Sequence, residues 1–365
     1  MQKLVKTSYK KEDVTILLKD ITGMVKPLAT EEREKLNQSG VHYSEMLPLE
    51  YKPTEQYMQI YEESLKKLSY KTANATAILA DILYQKYQDK LVIVSLARAG
   101  TPIGILLKRF IKLKYGTEVP HYSISIIRGK GFDLNAIKYV VEKHGAYGIQ
   151  FVDGWIGKGA INQVLKEACA TLKSMDDKYK ILDDSLAVLS DPAFITELCG
   201  THEDFLIPSA CLNATVSGLI SRTFHRDDII GKEDFHGAVY YKELKPEDRS
   251  NEFIDMVSSY FTSIDYQYFP QIDITQFEGK HGIDEVKQIA KDFGIVDINK
   301  VKPGVGETTR VLLRRVPYKV LVRNMKDINK FEHIFRLCQE KNVEIMEYPL
   351  KMYGVCGIIK TLSDL

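Results

Sequence analysis

Hydrophobic positions recur along the chain with two periods, and their alternation predicts an α/β body. Thr54 to Leu68 sets Tyr57, Ile60, Tyr61 and Leu65 on one helical stripe, and Thr72 to Tyr87 does the same with Ile78, Leu79, Ile82 and Leu83. Leu91 to Ala97 is a continuous apolar run, as expected of a strand covered on both faces, and it breaks at Arg98 before a helical period over Ile103 to Lys114. Further strands are predicted at His121 to Ile127, in the run from Tyr147 that stops at Asp153, and at Leu186 to Leu189. Helices are predicted at Ala160 to Ser174, Pro208 to Arg222 and Asn251 to Ile264.

The pattern then changes. Residues 266–279 carry one proline and no clear period, and read as a linker between a body (1–265) and a smaller C-terminal domain (280–365). In that domain the spacing predicts a helix over Gly282 to Phe293 with Ile283, Val286, Ile289 and Ala290 inward. A strand follows at Tyr318 to Arg323, then a helix at Ile328 to Glu340 and a strand at Val343 to Tyr348. Residues 1–50 give few periodic signals, and within them the cluster His42 to Met46, with Tyr43, reads as part of a hood segment over a site.

Composition adds limits. With 365 residues, 44% hydrophobic and 27% charged, the chain has the make-up of an ordinary globular protein with room for two cores. No apolar run is long enough to span a bilayer, so a cytoplasmic protein without a membrane partner is expected. Five cysteines without a CxxC pair argue against a disulfide framework or a zinc ribbon. Net charge is +1, but residues 280–365 hold 16 Lys and Arg against 11 Asp and Glu, while the remainder is acidic. A basic tail on an acidic body points to a polyanionic partner for the tail.

Three turns carry candidate chemistry. Asp153-Gly154 and Gly157-Lys158-Gly159-Ala160 join a predicted strand to a helix, where glycine backbone, a lysine and a helix start together suit a phosphate. The spacing fits neither a Walker A loop nor GxGxxG. Arg98-Ala99-Gly100-Thr101 is a second such turn, one unit upstream. Between them, Arg128-Gly129-Lys130-Gly131 is a basic glycine loop suited to closing over an anionic leaving group. Three loops after successive strands suggest a site at the carboxyl edge of a mostly parallel sheet, with Asn213 available from a following helix.

Taken together, these residues resemble type I phosphoribosyltransferases. Asp153 stands for the first acid of that family's sugar-phosphate motif, with Gly154 in the second acidic place. Asp153-Gly154-Trp155 with Gly157-Lys158-Gly159 is closer still to StiP-like proteins of tellurite-resistance and stress operons, described as a phosphoribosyltransferase-like domain fused to a Pelota RNA-binding domain. The resemblance implies transfer chemistry on phosphoribosyl pyrophosphate or a nucleotide. Asp153 would hold the ribose hydroxyls, Arg98, Gly100, Arg128 and Lys130 the pyrophosphate, and Gly157 to Gly159 the 5′-phosphate. Magnesium would be bridged by substrate oxygens, with Asp153 the one protein group in reach, and a homodimer is a candidate assembly.

Two alternatives accompany this reading. One is a non-catalytic RNA regulator that senses a phosphoribosyl ligand. The other follows the label cysteine protease attached to StiP-like proteins, with Cys199 or Cys211 as nucleophile and His202, His225 or His236 as base. No local peptidase signature accompanies them, so this alternative is placed last.

In the tail, Lys302, Gly304, Gly306, Glu307, Arg310, Arg314 and Arg315 form the basic stretch, and seven cations against one acid lie between Lys300 and Arg323. Gly304 to Arg310 resembles the Gly-x-Asn-Glu-x-x-Lys signature of the Pelota RNA-binding fold, which implies RNA as partner. Gly306 replaces the asparagine and Arg310 the lysine, so phosphate attraction is retained while kink-turn reading is not implied.

Overall fold

The computed structural model describes residues 2–265 and 282–360. The body is built on a mostly parallel sheet whose strands lie in the order Thr15–Ile16, His121–Ile127, Val92–Ala97, Ile149–Trp155, Leu186–Ser190, Cys199–Thr201. Only the short strand Gly131–Phe132 runs antiparallel, folded back on His121–Ile127. The chain order reverses direction beside Val92–Ala97, which pairs on one flank with Ile93↔His121 and on the other with Val92↔Ile149. A crevice therefore opens between the turns that follow Ala97 and Trp155, where parallel sheets place ligands.

Alternate residues of each strand feed two apolar layers. Ile93, Val152 and Leu189 pack with the helices Glu55–Tyr87 and Gly100–Tyr115, while Val94, Phe151 and Val188 pack with Leu134–His144 and Ala160–Met175. Local signals set the helix limits. Thr54 caps Glu55–Tyr87 by accepting the Tyr57 N–H, Asp133 caps Leu134–His144 through the Ala136 N–H at 3.0 Å, and Gly116 (φ 70°) closes Gly100–Tyr115.

The C-terminal unit is a four-stranded sheet in the order Val301–Pro303, Val355–Ile359, Pro317–Val322, Glu344–Glu347, antiparallel except for the last pair. Helix Gly282–Asp292 covers one face, while Val305–Arg314 and Glu332–Glu340 cover the other. Its apolar residues are continuous with the body's: Val305 and Leu313 share a buried cluster with Ala210, Cys211 and Ile60.

Several sequence expectations change. The two helices predicted across 54–87 are one helix of 33 residues, because Ser69 and Thr72 turn their hydroxyls onto the Leu65 and Leu68 carbonyls and nothing breaks the ladder. The strand expected to stop at Asp153 continues to Trp155, held by Asp153↔Val188 and Trp155↔Ser190 pairing. The helix predicted over Pro208 to Arg222 is two 3₁₀ turns, Pro208–Cys211 and Ala214–Val216. Asn213 leaves the helical region (φ −109°, ψ −112°), and Gly218 and Leu219 have positive φ. The predicted linker 266–279 lies outside the described residues.

Candidate functional site

The turns at the carboxyl edge of the body sheet face the C-terminal unit across a cleft of about 850 Å³. It gathers Arg98, Ala99, Arg128, Asp153, Gly157, Lys158, Gly159, Ala160 and Asn213 from the body with Lys302, Glu307, Arg310, Arg314 and Arg315 from the C-terminal unit. Tyr43 lines an adjoining recess of about 470 Å³. Its hydroxyl accepts the Arg128 N–H at 2.8 Å, and its ring lies under the guanidinium groups of Arg222 (5.0 Å) and Arg128 (5.8 Å).

Other residues expected at the site stand elsewhere. Gly100 is buried, and a Cβ there would meet the Val152 carbonyl at 2.5 Å, so it serves the close approach of helix to strand rather than a ligand. Thr101 is buried on Ser123, 2.7 Å between hydroxyls. Gly154 is buried at the end of its strand, and Lys130 turns to Glu45 (2.9 Å). Gly304 and Gly306 pack against the body, against Asp204 and the Trp155 ring respectively.

The glycine loop lines the cleft and also grips the C-terminal unit. The Gly157 carbonyl accepts the Tyr353 hydroxyl at 2.6 Å, and Lys158 Nζ donates to the Ile298 carbonyl at 2.9 Å and to Asn299 Oδ1 at 3.2 Å. The loop is thus a socket for the C-terminal unit. Asp153 is half-buried, and its carboxyl is pushed up to about 7, by burial first, against the pull of the Gly154 N–H (2.8 Å) and Arg310. Burial, with Lys302 and Arg128 nearby, brings Lys158 down to about 8.

Sequence reasoning gives no role to Arg222, Asp204 or Tyr353, and Trp155 enters it only through the motif Asp153-Gly154-Trp155. Trp155 is the chain's single tryptophan and carries Arg310 over its ring at 5.4 Å. Asp204 accepts N–H groups from Val305 (2.8 Å) and Gly354 (2.9 Å). No sequence spacing links residues so far apart.

Magnesium is expected from the sequence to ride on substrate oxygens. Among the described residues, no group of three or more His, Cys, Asp or Glu side chains gathers where it could hold a metal ion. Nor is any described helix long and apolar enough to cross a membrane.

A second cluster lies away from the cleft, at the turns after Leu186–Ser190 and Cys199–Thr201. Cys199 Sγ is 3.4 Å from His202 Nε2, and His202 Nδ1 is 2.7 Å from the Asp191 carbonyl. A carbonyl only accepts, so Nδ1 carries the proton and Nε2 is the basic nitrogen; Sγ is also 3.8 Å from Nδ1 and so lies beside the ring rather than in line with the Nε2 lone pair. The Phe194 ring stacks on the imidazole, with centroids 4.3 Å apart and planes at 8°. Asp191 fixes the intervening turn by accepting N–H groups from Ala193, Ile195 and Thr196. Cys199 is 1% exposed, and burial, with Asp191 nearby, pushes its thiol up to about 12.

Cys211, at the cleft wall, meets Ser64 Oγ at 3.8 Å rather than a histidine, and burial pushes its thiol up to about 11. His225 and His236 lie against each other, with ring centroids 4.7 Å apart. Of the cysteine and histidine pairings open to the sequence, the structure brings together Cys199 and His202.

Comparison with known proteins bears on this pair. Residues 7–258 match the family described as tellurite-like stress resistance cysteine protease StiP. The chain belongs to the StiP family. Residues 280–361 match the PELOTA RNA binding domain, so the C-terminal unit is an RNA-binding domain of that kind. A protein named cysteine protease StiP, from Acinetobacter baylyi (strain ATCC 33305 / BD413 / ADP1), is 36% identical over 369 residues, covering 98% of this chain and 94% of the relative.

These matches correct the leading functional expectation. The StiP family and this relative are named as cysteine proteases, the alternative placed last from the sequence, and neither supports a phosphoribosyltransferase or phosphoribosyl pyrophosphate as substrate. The physical reason for the error is visible at the glycine loop. Glycines and a lysine between strand and helix read alike whether they hold a phosphate or a neighbouring domain, and here the Lys158 ammonium is taken by Ile298 and Asn299 and the Gly157 carbonyl by Tyr353.

Proposed function

We propose that the chain is a thiol peptidase in which Cys199 is the nucleophile and His202 its base. The observation that carries this reading is the 3.4 Å approach of Cys199 Sγ to His202 Nε2 with Nδ1 anchored on the Asp191 carbonyl. The names of the family and of the Acinetobacter relative support it.

In this reaction the thiol proton passes to Nε2 and the thiolate adds to the scissile carbonyl carbon. The imidazolium then returns the proton to the leaving amine as the C–N bond breaks. Water, losing a proton to Nε2, releases the acyl group from sulfur. The Asp191 carbonyl holds the ring in the tautomer that leaves Nε2 unprotonated, a small rotation of the ring brings Nε2 in line with Sγ, and the carbonyl accepts a stronger hydrogen bond once the ring is charged.

The pair is closed as it stands. Cys199 is 1% exposed, so a substrate reaches Sγ only when the residues packed over the thiol move. Exposure to water also removes the main cause of the high thiol value. The test is hydrolysis of casein and of fluorogenic peptides by wild type, Cys199→Ser, His202→Ala and Cys211→Ser, with and without Mg²⁺. Loss in the first two variants with retention in the third supports the proposal. Full activity in Cys199→Ser overturns it.

A further inference from the structure

The cleft between body and C-terminal unit has no part in the thiol chemistry, yet it concentrates charge. Among the described residues, ten lysines and arginines line it against three carboxyl groups, those of Glu50, Asp153 and Glu307. Arg128, Arg222, Lys302 and Arg315 form no ion pair with any described residue, and Arg222 Nε is buried without a hydrogen-bond partner. Arg310 has Glu307 at 3.6 Å, and Arg98 has Glu50 at 3.5 Å. Burial first, and neighbouring arginines second, bring Arg222 down to about 10 and Arg314 down to about 9, although Glu50 draws Arg314 the other way. A fold keeps such a cluster at a cost in stability unless an anion enters it.

The two walls belong to different parts of the chain. One comes from the body and the other from the unit that matches an RNA-binding domain. We propose that RNA runs through this cleft, its phosphates gripped by Arg128 and Arg222 of the body and by Lys302, Arg310 and Arg315 of the C-terminal unit. The body is then half of the RNA site. Planar guanidinium groups suit phosphodiester oxygens, and the partly exposed rings of Tyr43 and Trp155 beside Arg128 and Arg310 offer surfaces on which an unpaired base can stack. A single strand is the form that fits, because a cleft of about 850 Å³ has the scale of a ligand pocket rather than of a duplex groove.

The inference rests on the RNA-binding match and is independent of the thiol proposal. It is tested with the full chain by fluorescence anisotropy on a 5′-labelled, mixed-sequence single-stranded RNA between 50 and 300 mM KCl. Arg128→Ala with Arg222→Ala is expected to weaken binding about tenfold or more and to lower the salt slope by about 1.4, at roughly 0.7 for each phosphate no longer neutralised. Arg315→Ala alone should lower it by about 0.7. Arg128, being exposed, also serves as a single variant free of folding effects.

A second measurement on unaltered protein is photocrosslinking of 4-thiouridine RNA, with peptides from both walls expected. Unchanged affinity and slope in the body variants, with crosslinks confined to the C-terminal domain (280–365), would overturn the proposal. So would micromolar binding of sodium triphosphate that the RNA does not displace, which would make the cleft a small-ligand site.

Discussion

Asp204 holds Val305 across the junction between the two halves of the chain, its Oδ1 accepting the Val305 N–H at 2.8 Å while Oδ2 accepts the Gly354 N–H at 2.9 Å. One carboxylate thereby caps the helix Val305–Arg314 and anchors the approach to the strand Val355–Ile359. Asp204→Ala is expected to lower stability by about 2 kcal/mol, since two N–H groups at a covered junction lose their acceptor. Thermal unfolding and limited proteolysis between the halves read the effect.

The same carboxyl gives a pH dependence. Burial pushes Asp204 up to about 6, so the folded chain keeps its proton through a range where the unfolded chain has lost it. Stability from this group is greatest at low pH and falls as pH rises from about 4 to about 6. Denaturant titrations at stepped pH should show this component in wild type and its absence in Asp204→Asn.

His121 acts in the opposite sense. It is buried between the Asp13 carbonyl (2.9 Å) and Ser95 Oγ (2.8 Å), and burial pushes it down to about 3. The unfolded histidine takes up a proton near 6.5 while the folded one does not, so stability is lost as pH falls from about 6.5 toward 3, by up to about 1.4 kcal/mol per pH unit. His121→Gln is expected to be less stable at neutral pH yet to show a shallower acid slope, which urea midpoints between pH 4 and 7 would show.

Phe194 has φ 53° and covers the imidazole of His202. Phe194→Gly relieves the backbone and uncovers the ring, so alkylation of Cys199 by iodoacetamide should accelerate several-fold. Peptide mass mapping should find the gain at Cys199 and leave Cys169 and Cys356 unchanged. Equal labelling rates in wild type and variant would remove Phe194 as the cover.

Two glycines of one loop should respond differently. A Cβ on Gly157 would make ordinary contacts, the nearest being Glu307 Cγ at 3.6 Å, whereas Gly159 has φ 83° and its Cβ would meet Ile195 Cδ1 at 2.5 Å. Gly157→Ala should change stability by less than about 0.5 kcal/mol, and Gly159→Ala should cost about 1–2 kcal/mol. Differential scanning calorimetry separates them.

Periodicity and punctuation explain what the sequence makes legible. His121 to Ile127 is legible to the residue because Tyr122, Ile124 and Ile126 alternate with the small Ser123 and Ser125, and Pro120 and Arg128-Gly129 bound the run. Helix Ala160–Met175 is legible because its start follows glycines and its apolar stripe is regular. The helix Leu134–His144 and the strands Val301–Pro303 and Val355–Ile359 are not, the strands being short and interrupted by Lys302 or Gly357. The cleft's cations are largely legible as basic turns, but Arg222 joins them only through a chain path bent at Gly218 and Leu219. The pairing of Cys199 with His202 is one of several open combinations, because sequence does not show that the ring just after the strand Cys199–Thr201 folds back onto the thiol at its start.

Tyr353 and the Gly157 carbonyl make one hydrogen bond from residues 196 positions apart. During synthesis the glycine loop therefore leaves the ribosome long before the hydroxyl that secures it. A nascent chain that has reached only residue 300 exposes Trp155, the Asp204 carboxylate and the apolar surface that Val305 and Leu313 later cover. That interval is when a chaperone has a surface to hold, and shortening the chain from its C-terminal side should prolong it.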